Sequence, residues 1–254
     1  MSLTHRTMGE IVKQQFLFKL RSNAAVITAL FVMQAVVWGL IIGEVPNSFP
    51  GFSMSTFELR WYSITNDKVV MASLLWSLVV GVLMTTPGQR NASFTYVSSP
   101  VTENLANFCF FGLAAIIAGV TTVLSGSVLK LVVFMKDGSS IIETGGLIAA
   151  PLDFFSRIVV MIIYTLLIMV VVYTCMLFVQ MNRLMIVPIV LLVLLSTKSS
   201  VFDLLGFEGN IDTLFDFFYK ESSFWLFLVK TGVVMAIVSI LSFFPSSRIE
   251  VKQS

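Results

Sequence analysis

Few residues in this chain combine type and spacing in a way that could do chemistry. The best-placed pair is Asp153 and Arg157. Four residues apart on a helix, they share one face within reach of an ion pair. Both fall near the start of an apolar run, and ionisable groups at membrane depth suggest polar paths or ion sites. The pair either lines a translocation path or is a structural ion pair at the membrane interface, the second being the simpler reading. Lys130 interrupts another long apolar run and reads as the end of a span, with 131–135 lying along the outer interface. Lys230 sits about two turns into a further run and can snorkel outward. The one histidine, His5, and the two cysteines, Cys109 and Cys175, are far apart in sequence. A zinc site takes about four ligands of these types, so no metal site is expected, and both cysteines read as buried structural thiols. The chain has no GxxxxGK[ST], HExxH, GxSxG or CxxC motif. It therefore lacks the usual phosphate cradle, and no catalytic, metal or directly bound cofactor site is expected. If ATP drives this protein, another chain must bind it.

Composition defines the environment of these residues. The 254-residue chain is 57% hydrophobic and 12% charged, with a mean hydropathy of +0.93. Soluble domains carry about a quarter charged residues. Half that density cannot coat a water-facing surface, but it can cover two membrane faces and their loops. The 23 Phe and 13 Met suit lipid-facing and helix-packing surfaces, and a net charge of +2 is too small to point to nucleic acid.

A helix crossing the hydrocarbon core needs about 20 mostly apolar residues. Six candidate runs occur, at 24–43, 69–86, 105–135, 152–179, 184–196 (extendable toward 205) and 224–244. The second and fifth are short, and the fifth carries Pro188. The third contains Ser125, Gly126, Ser127 and Lys130. Helices are expected because an isolated strand leaves its backbone unsatisfied in lipid, and the runs lack the alternation of barrel strands. The predicted fold is an all-α polytopic membrane protein with six transmembrane helices, one transmembrane domain over 1–254. The first run follows a polar lead-in and is long enough to span, so it reads as a span and not as a cleaved leader.

Lys and Arg near span ends set orientation. With the N-terminus cytoplasmic, the inner segments hold Arg6, Lys13, Lys19, Arg21, Arg90, Arg183, Arg248 and Lys252. The outer ones hold Arg60, Lys68, Lys136, Lys198 and Lys220. The bias predicts both termini on the cytoplasmic side. Residues 1–22 read as an amphipathic helix lying in that interface. Met8, Ile11, Val12 and Phe16 fall on one side, with Lys13, Gln14 and Lys19 elsewhere for anionic headgroups.

The segment 87–103 is the most informative loop. Pro87 and Gly88 end the second run. Arg90, Ser93, Phe94, Tyr96 and Val97 follow, then Ser98, Ser99, Pro100 and Val101. Thr102 is expected to cap the third helix. Exposed aromatics in a short cytoplasmic helix invite a protein partner; the blander alternative is a loop packed on headgroups.

On this element, and on the span layout, the chain resembles the permease subunit of type-2, exporter-class ABC transporters. In that family an elbow helix precedes six spans, and a cytoplasmic coupling helix joins the second and third. The loop often carries an arginine, a small residue, an apolar stretch and a Ser/Thr-Pro-Val element, here Arg90, Ser93, Phe94, Tyr96, Val97, Ser98, Ser99, Pro100 and Val101. Residues 199–223, too polar to span alone, correspond to the family's partly re-entrant outer segment. Two departures stand out: Asn91 occupies the place of the usual Glu, and the polar stretch 136–146 is longer than the short turn expected.

The resemblance implies pairing with a second permease subunit, identical or related. It also implies docking of a separate ATPase subunit on Arg90, Ser93, Phe94, Tyr96, Val97, Ser99 and Pro100, with ATP acting through that partner. The family's usual setting is a bacterial cell membrane. Met and aromatic surfaces suit amphipathic or hydrophobic cargo, such as a peptide toxin or antimicrobial peptide, in an export or immunity role. Lipid-linked glycan export is a further alternative, as is a non-transport scaffold, sensor or immunity subunit. A secondary carrier is disfavoured because the two halves show no internal repeat and the middles of the six runs lack Asp and Glu. An intramembrane enzyme would need paired catalytic groups that are not apparent.

Overall fold

The protein is described here as a computed structural model covering residues 7–44, 66–86, 88–89, 99–137, 151–182, 185–186 and 224–251. Six helices occur among the described residues. They are α1 (Met8–Ser22), α2 (Ala24–Glu44), α3 (Asp67–Leu83), α4 (Pro100–Asp137), α5 (Pro151–Met181) and α6 (Phe224–Val251).

Local chemistry sets several helix ends. Thr7 precedes α1, and its backbone N–H donates to the Glu10 carboxylate at 3.3 Å. Acidic Glu10 in the first turn and basic Lys19 and Arg21 in the last complement the helix dipole. Asn23 separates α1 from α2, its side-chain amide and backbone N–H both donating to the Lys19 carbonyl at 2.9 Å. Ser99, and not the expected Thr102, caps α4. The Thr102 N–H donates to the Ser99 hydroxyl at 3.3 Å, while the Ser99 N–H donates to the Thr102 hydroxyl at 3.1 Å. Pro100 then occupies the first helical position, where its missing N–H is harmless.

Among the described residues, four helices are long and apolar enough to cross a membrane: Ala24–Ile41, Pro100–Leu129, Pro151–Met181 and Phe224–Ser246. With 17 residues, α3 is about 25 Å long, against a hydrocarbon core of about 30 Å. Four of the six predicted spans fall on these helices. The run at 184–196 lies outside the described residues apart from Met185 and Ile186. Ser125, Gly126 and Ser127 do not interrupt α4, which continues to Asp137.

Along α3 and α6, burial is inverted relative to a soluble protein. On α3, Met71, Leu75, Leu78, Val79 and Val82 are exposed, while Ser73 and Ser77 are buried. On α6, Trp225, Val229, Val233, Ile237 and Ile240 face outward, while Thr231 and Ser242 face inward. Large apolar faces of this extent need a nonaqueous partner, and small polar residues are common where membrane helices pack. The chain is an α-helical, multi-pass membrane protein.

The described helices divide into two compact units, Met1–Val80 with Ala106–Met169 and Gly81–Leu105 with Val170–Ser254. In the first, Lys19 bonds Asn107 and Gln34 bonds Thr122, both 88 residues apart. Ile41 and Leu129, at the same separation, share an apolar cluster with Val69. A constant offset means that α4 follows the direction of the α1–α2 path. Helix α3 runs opposite: Trp76 bonds the Val26 carbonyl near the start of α2, Ser73 meets Gln34, and Val69 meets the end of α2. Helices α4 and α5 approach closely at Gly119, where a Cβ would lie 2.9 Å from the Ile162 backbone nitrogen.

In the second unit, the start of α4 meets the later parts of α5 and α6. The Tyr173 hydroxyl donates to Asn104 Oδ1 at 2.6 Å, and Asn104 Nδ2 donates to the Ser242 carbonyl at 3.5 Å. Thr174 donates to the Val238 carbonyl at 3.5 Å. Near the end of α5, the Gln180 amide donates to the Thr85 carbonyl.

Candidate functional site

Of the coupling residues expected from sequence, Arg90, Ser93, Phe94, Tyr96 and Val97 lie outside the described residues. Ser99 and Pro100 lie within them and start α4. The expected outer segment 199–223 is also outside. Asp153 and Arg157 fall on one face of α5, in its first two turns, as their spacing requires. Both are exposed, and among the described residues no ion pair joins them. Ser156 instead donates to the Asp153 carbonyl at 2.8 Å. Cys109 is exposed and Cys175 half-buried, both as free thiols. The reading of both as buried thiols therefore fails for Cys109, whose side chain leaves α4 on an outward face. Among the described residues no group of three or more His, Cys, Asp or Glu side chains could hold a metal ion.

The first unit brings together polar residues that the sequence reading passed over. At one level, Gln34 of α2 aims its side-chain nitrogen at three hydroxyls: Ser73 of α3 at 3.2 Å, and Thr121 and Thr122 of α4 at 3.2 and 3.1 Å. An amide has two hydrogens, so at most two acceptors are fully engaged at once. Ser73 and Thr122 also bond each other at 2.7 Å. Ser73 further reaches the Val69 carbonyl, and Thr121 the Ile117 carbonyl. The cluster is neutral and joins three helices.

A second level lies nearer the start of α4. The Lys19 ammonium, 2% exposed, donates to Asn107 Oδ1. Gln15, one turn earlier on the same face of α1, is 1% exposed, and neither atom of its carboxamide has a partner among the described residues. The buried face of α1 is thus Val12, Gln15 and Lys19. This corrects the expected apolar side, since Met8 is exposed and Lys19, expected elsewhere, points inward. Lys13, Gln14, Leu17 and Arg21 form the outward face. The cause is Asn107, a polar anchor on α4 that apolar periodicity does not reveal.

In the second unit, Asn104 bridges Tyr173 and Ser242, and Glu103 beside it is buried in the first turn of α4, where the helix dipole favours a carboxylate. Chemically, the described polar levels offer amides and hydroxyls, with the Lys19 ammonium and the Glu103 carboxylate at their edges, and pair no serine or cysteine nucleophile with a base. They can hold helices together. The signal that could have found them is polar but uncharged: Gln34, Ser73, Asn104 and Asn107 each lie in or next to an apolar run. Comparison with protein-family models, curated proteins and solved structures finds no match.

Proposed function

We propose that the chain is the six-span permease subunit of an ATP-driven exporter of the type-2 ABC class. A separate cytoplasmic ATPase docks on the 87–103 segment, and a second permease subunit completes the pore. Hydrolysis in the ATPase moves the spans as rigid bodies and exports an amphipathic or hydrophobic substrate, such as a peptide. Both termini are cytoplasmic, in a bacterial cell membrane.

The observation that carries the reading is the Lys19–Asn107 bond. It brings the end of α1 to the start of α4, the helix that the 87–103 segment precedes in sequence. An N-terminal helix and an inter-span segment on one face of the membrane are what an elbow and a coupling helix require. The alternation of α2, α3 and α4 supports the same layout. Arg90, Phe94 and Tyr96 would meet the ATPase, with the aromatics filling a groove and the arginine pairing with an acidic rim.

The test is purification of the tagged chain from its native membrane in mild detergent, with identification and stoichiometry of what accompanies it. An ATP-binding subunit at one copy per chain is the expected result. Repeated recovery without an ATPase, in a detergent that keeps a known transporter intact, would overturn the reading and leave a membrane scaffold or sensor.

A further inference from the structure

Asp153 and Arg157 open α5 without meeting each other. Both are exposed, and among the described residues neither the carboxylate nor the guanidinium has a hydrogen-bond or ion partner; Asp153 accepts from Ser156 through its backbone carbonyl only. An exposed ion pair contributes little, so both charges are open to a ligand. Their depth follows from the helix. From Ile158 to Val179, α5 carries no charged residue. That stretch is about 33 Å of helix, against a hydrocarbon core of about 30 Å. Arg157 therefore stands at the edge of the hydrocarbon, and Asp153, one turn before it, lies about 6 Å further out.

The stripe continues inward from this pair. Asp153, Arg157, Val160, Tyr164 and Leu167 follow one another in steps of four and three, and so fall along one side of α5. Asp153 and Arg157 are exposed, and Val160, Tyr164 and Leu167 are half-buried, so the bundle closes off no residue of the stripe. From water toward the bilayer centre the stripe thus runs acid, base, apolar. A zwitterionic phospholipid with an amine headgroup carries the matching order: ammonium at its free end, phosphate next, acyl chains below. Arginine binds phosphate through a planar fork of N–H donors, and a carboxylate accepts from a primary ammonium. Phosphatidylglycerol has the same phosphate but a neutral diol in place of the amine, so it offers Asp153 no positive charge.

We propose that this stripe of α5 is a seat for phosphatidylethanolamine. Arg157 binds the phosphate, Asp153 accepts hydrogen bonds from the ammonium, and one acyl chain lies along Val160, Tyr164 and Leu167. The order of the two charges sets the preference. With the base nearer the hydrocarbon and the acid outside it, an amine-bearing lipid satisfies both, whereas an anionic lipid satisfies only the base. The seat is independent of the exporter reading and needs only that α5 crosses the bilayer.

The test is native mass spectrometry of the full chain in a neutral detergent, offered equal amounts of phosphatidylethanolamine and phosphatidylglycerol with the same acyl chains. The expected result is a phosphatidylethanolamine adduct favoured by about fivefold, the effect of one hydrogen bond at an exposed site. Asp153→Asn removes that preference, and Arg157→Gln weakens both adducts. Exchanging the pair, Asp153→Arg together with Arg157→Asp, keeps both charges and their spacing but reverses their depth, and it also removes the preference. Glycerophosphoethanolamine, which lacks acyl chains, does not compete. Equal binding of the two lipids by the wild type would overturn the seat, as would a preference that survives Asp153→Asn or the exchange. Competition by glycerophosphoethanolamine would overturn the assignment to a lipid. The wild-type comparison decides by itself should a variant fail to fold.

Discussion

Two glutamines on adjacent helices show how the same side chain can act in opposite directions. Gln34 donates into three hydroxyls, whereas Gln15 is buried with both carboxamide atoms unpaired among the described residues. Interhelical hydrogen bonds in membranes contribute about 0.6 kcal/mol on average and up to about 1.7. Gln34→Leu should therefore destabilise the protein by about 1 kcal/mol, read as a lower unfolding midpoint in bicelles. The effect is modest because Ser73 and Thr121 keep backbone carbonyl partners on their own helices. Gln15→Leu should raise the midpoint, since an unpaired buried amide costs about 1–3 kcal/mol. A lower midpoint for Gln15→Leu would mean that the carboxamide has a partner in the membrane. Neither role was legible in the sequence. A search for chemistry favours charged residues, and a neutral Gln in an apolar run looks like noise until its three partners are known. Lys19 was misread for a related reason: a basic residue on a predicted interfacial helix is assigned to headgroups unless Asn107, 88 positions away, is known to meet it.

Helices were more legible than contacts, because length and hydropathy are local properties whereas pairing is not. The runs at 24–43, 152–179 and 224–244 correspond closely to α2, α5 and α6. The third run was harder, since Ser125, Gly126 and Ser127 look like a break. In the structure Ser125 donates to the Thr122 carbonyl at 2.6 Å within its own helix, and Asn66 packs against Gly126. Polarity at that point serves packing and does not end the helix. Helix α4 is also where close approach matters most. Gly119 leaves no room beside Ile162, with the Ile162 backbone nitrogen 2.9 Å from a notional Cβ. Backbone cannot rotate away as a side-chain tip can. Gly119→Val should therefore destabilise by about 1–3 kcal/mol through overpacking, whereas Gly112→Val, at a position with open space, should change the same bicelle midpoint little. Equal effects of the two substitutions would show that α4 and α5 do not approach at Gly119.

For the whole chain, the direction of each crossing decides which segments can share a side. Helices α2 and α4 run the same way with α3 opposed. If the N-terminus is cytoplasmic, α4 ends outside and α5 returns inside. Six spans then need one crossing between Met181 and Phe224, so that α5 and α6 run in the same direction. Contacts in the second unit bear on that direction alone. Tyr173 and Thr174 lie toward the end of α5, Val238 and Ser242 lie toward the end of the apolar part of α6, and Asn104 joins Tyr173 to Ser242. Two spans that meet near both of their C-terminal ends within one bilayer point the same way. The prediction is that an alkaline phosphatase fused after Asp137 is active on the outer face of a bacterial membrane, while the same enzyme fused after Ser254 is inactive and a fluorescent protein there is bright. The Asp137 fusion serves as the control, because its side does not depend on the later crossing. An active phosphatase after Ser254 would mean that α6 runs opposite to α5, and would remove the six-span layout on which the exporter reading depends.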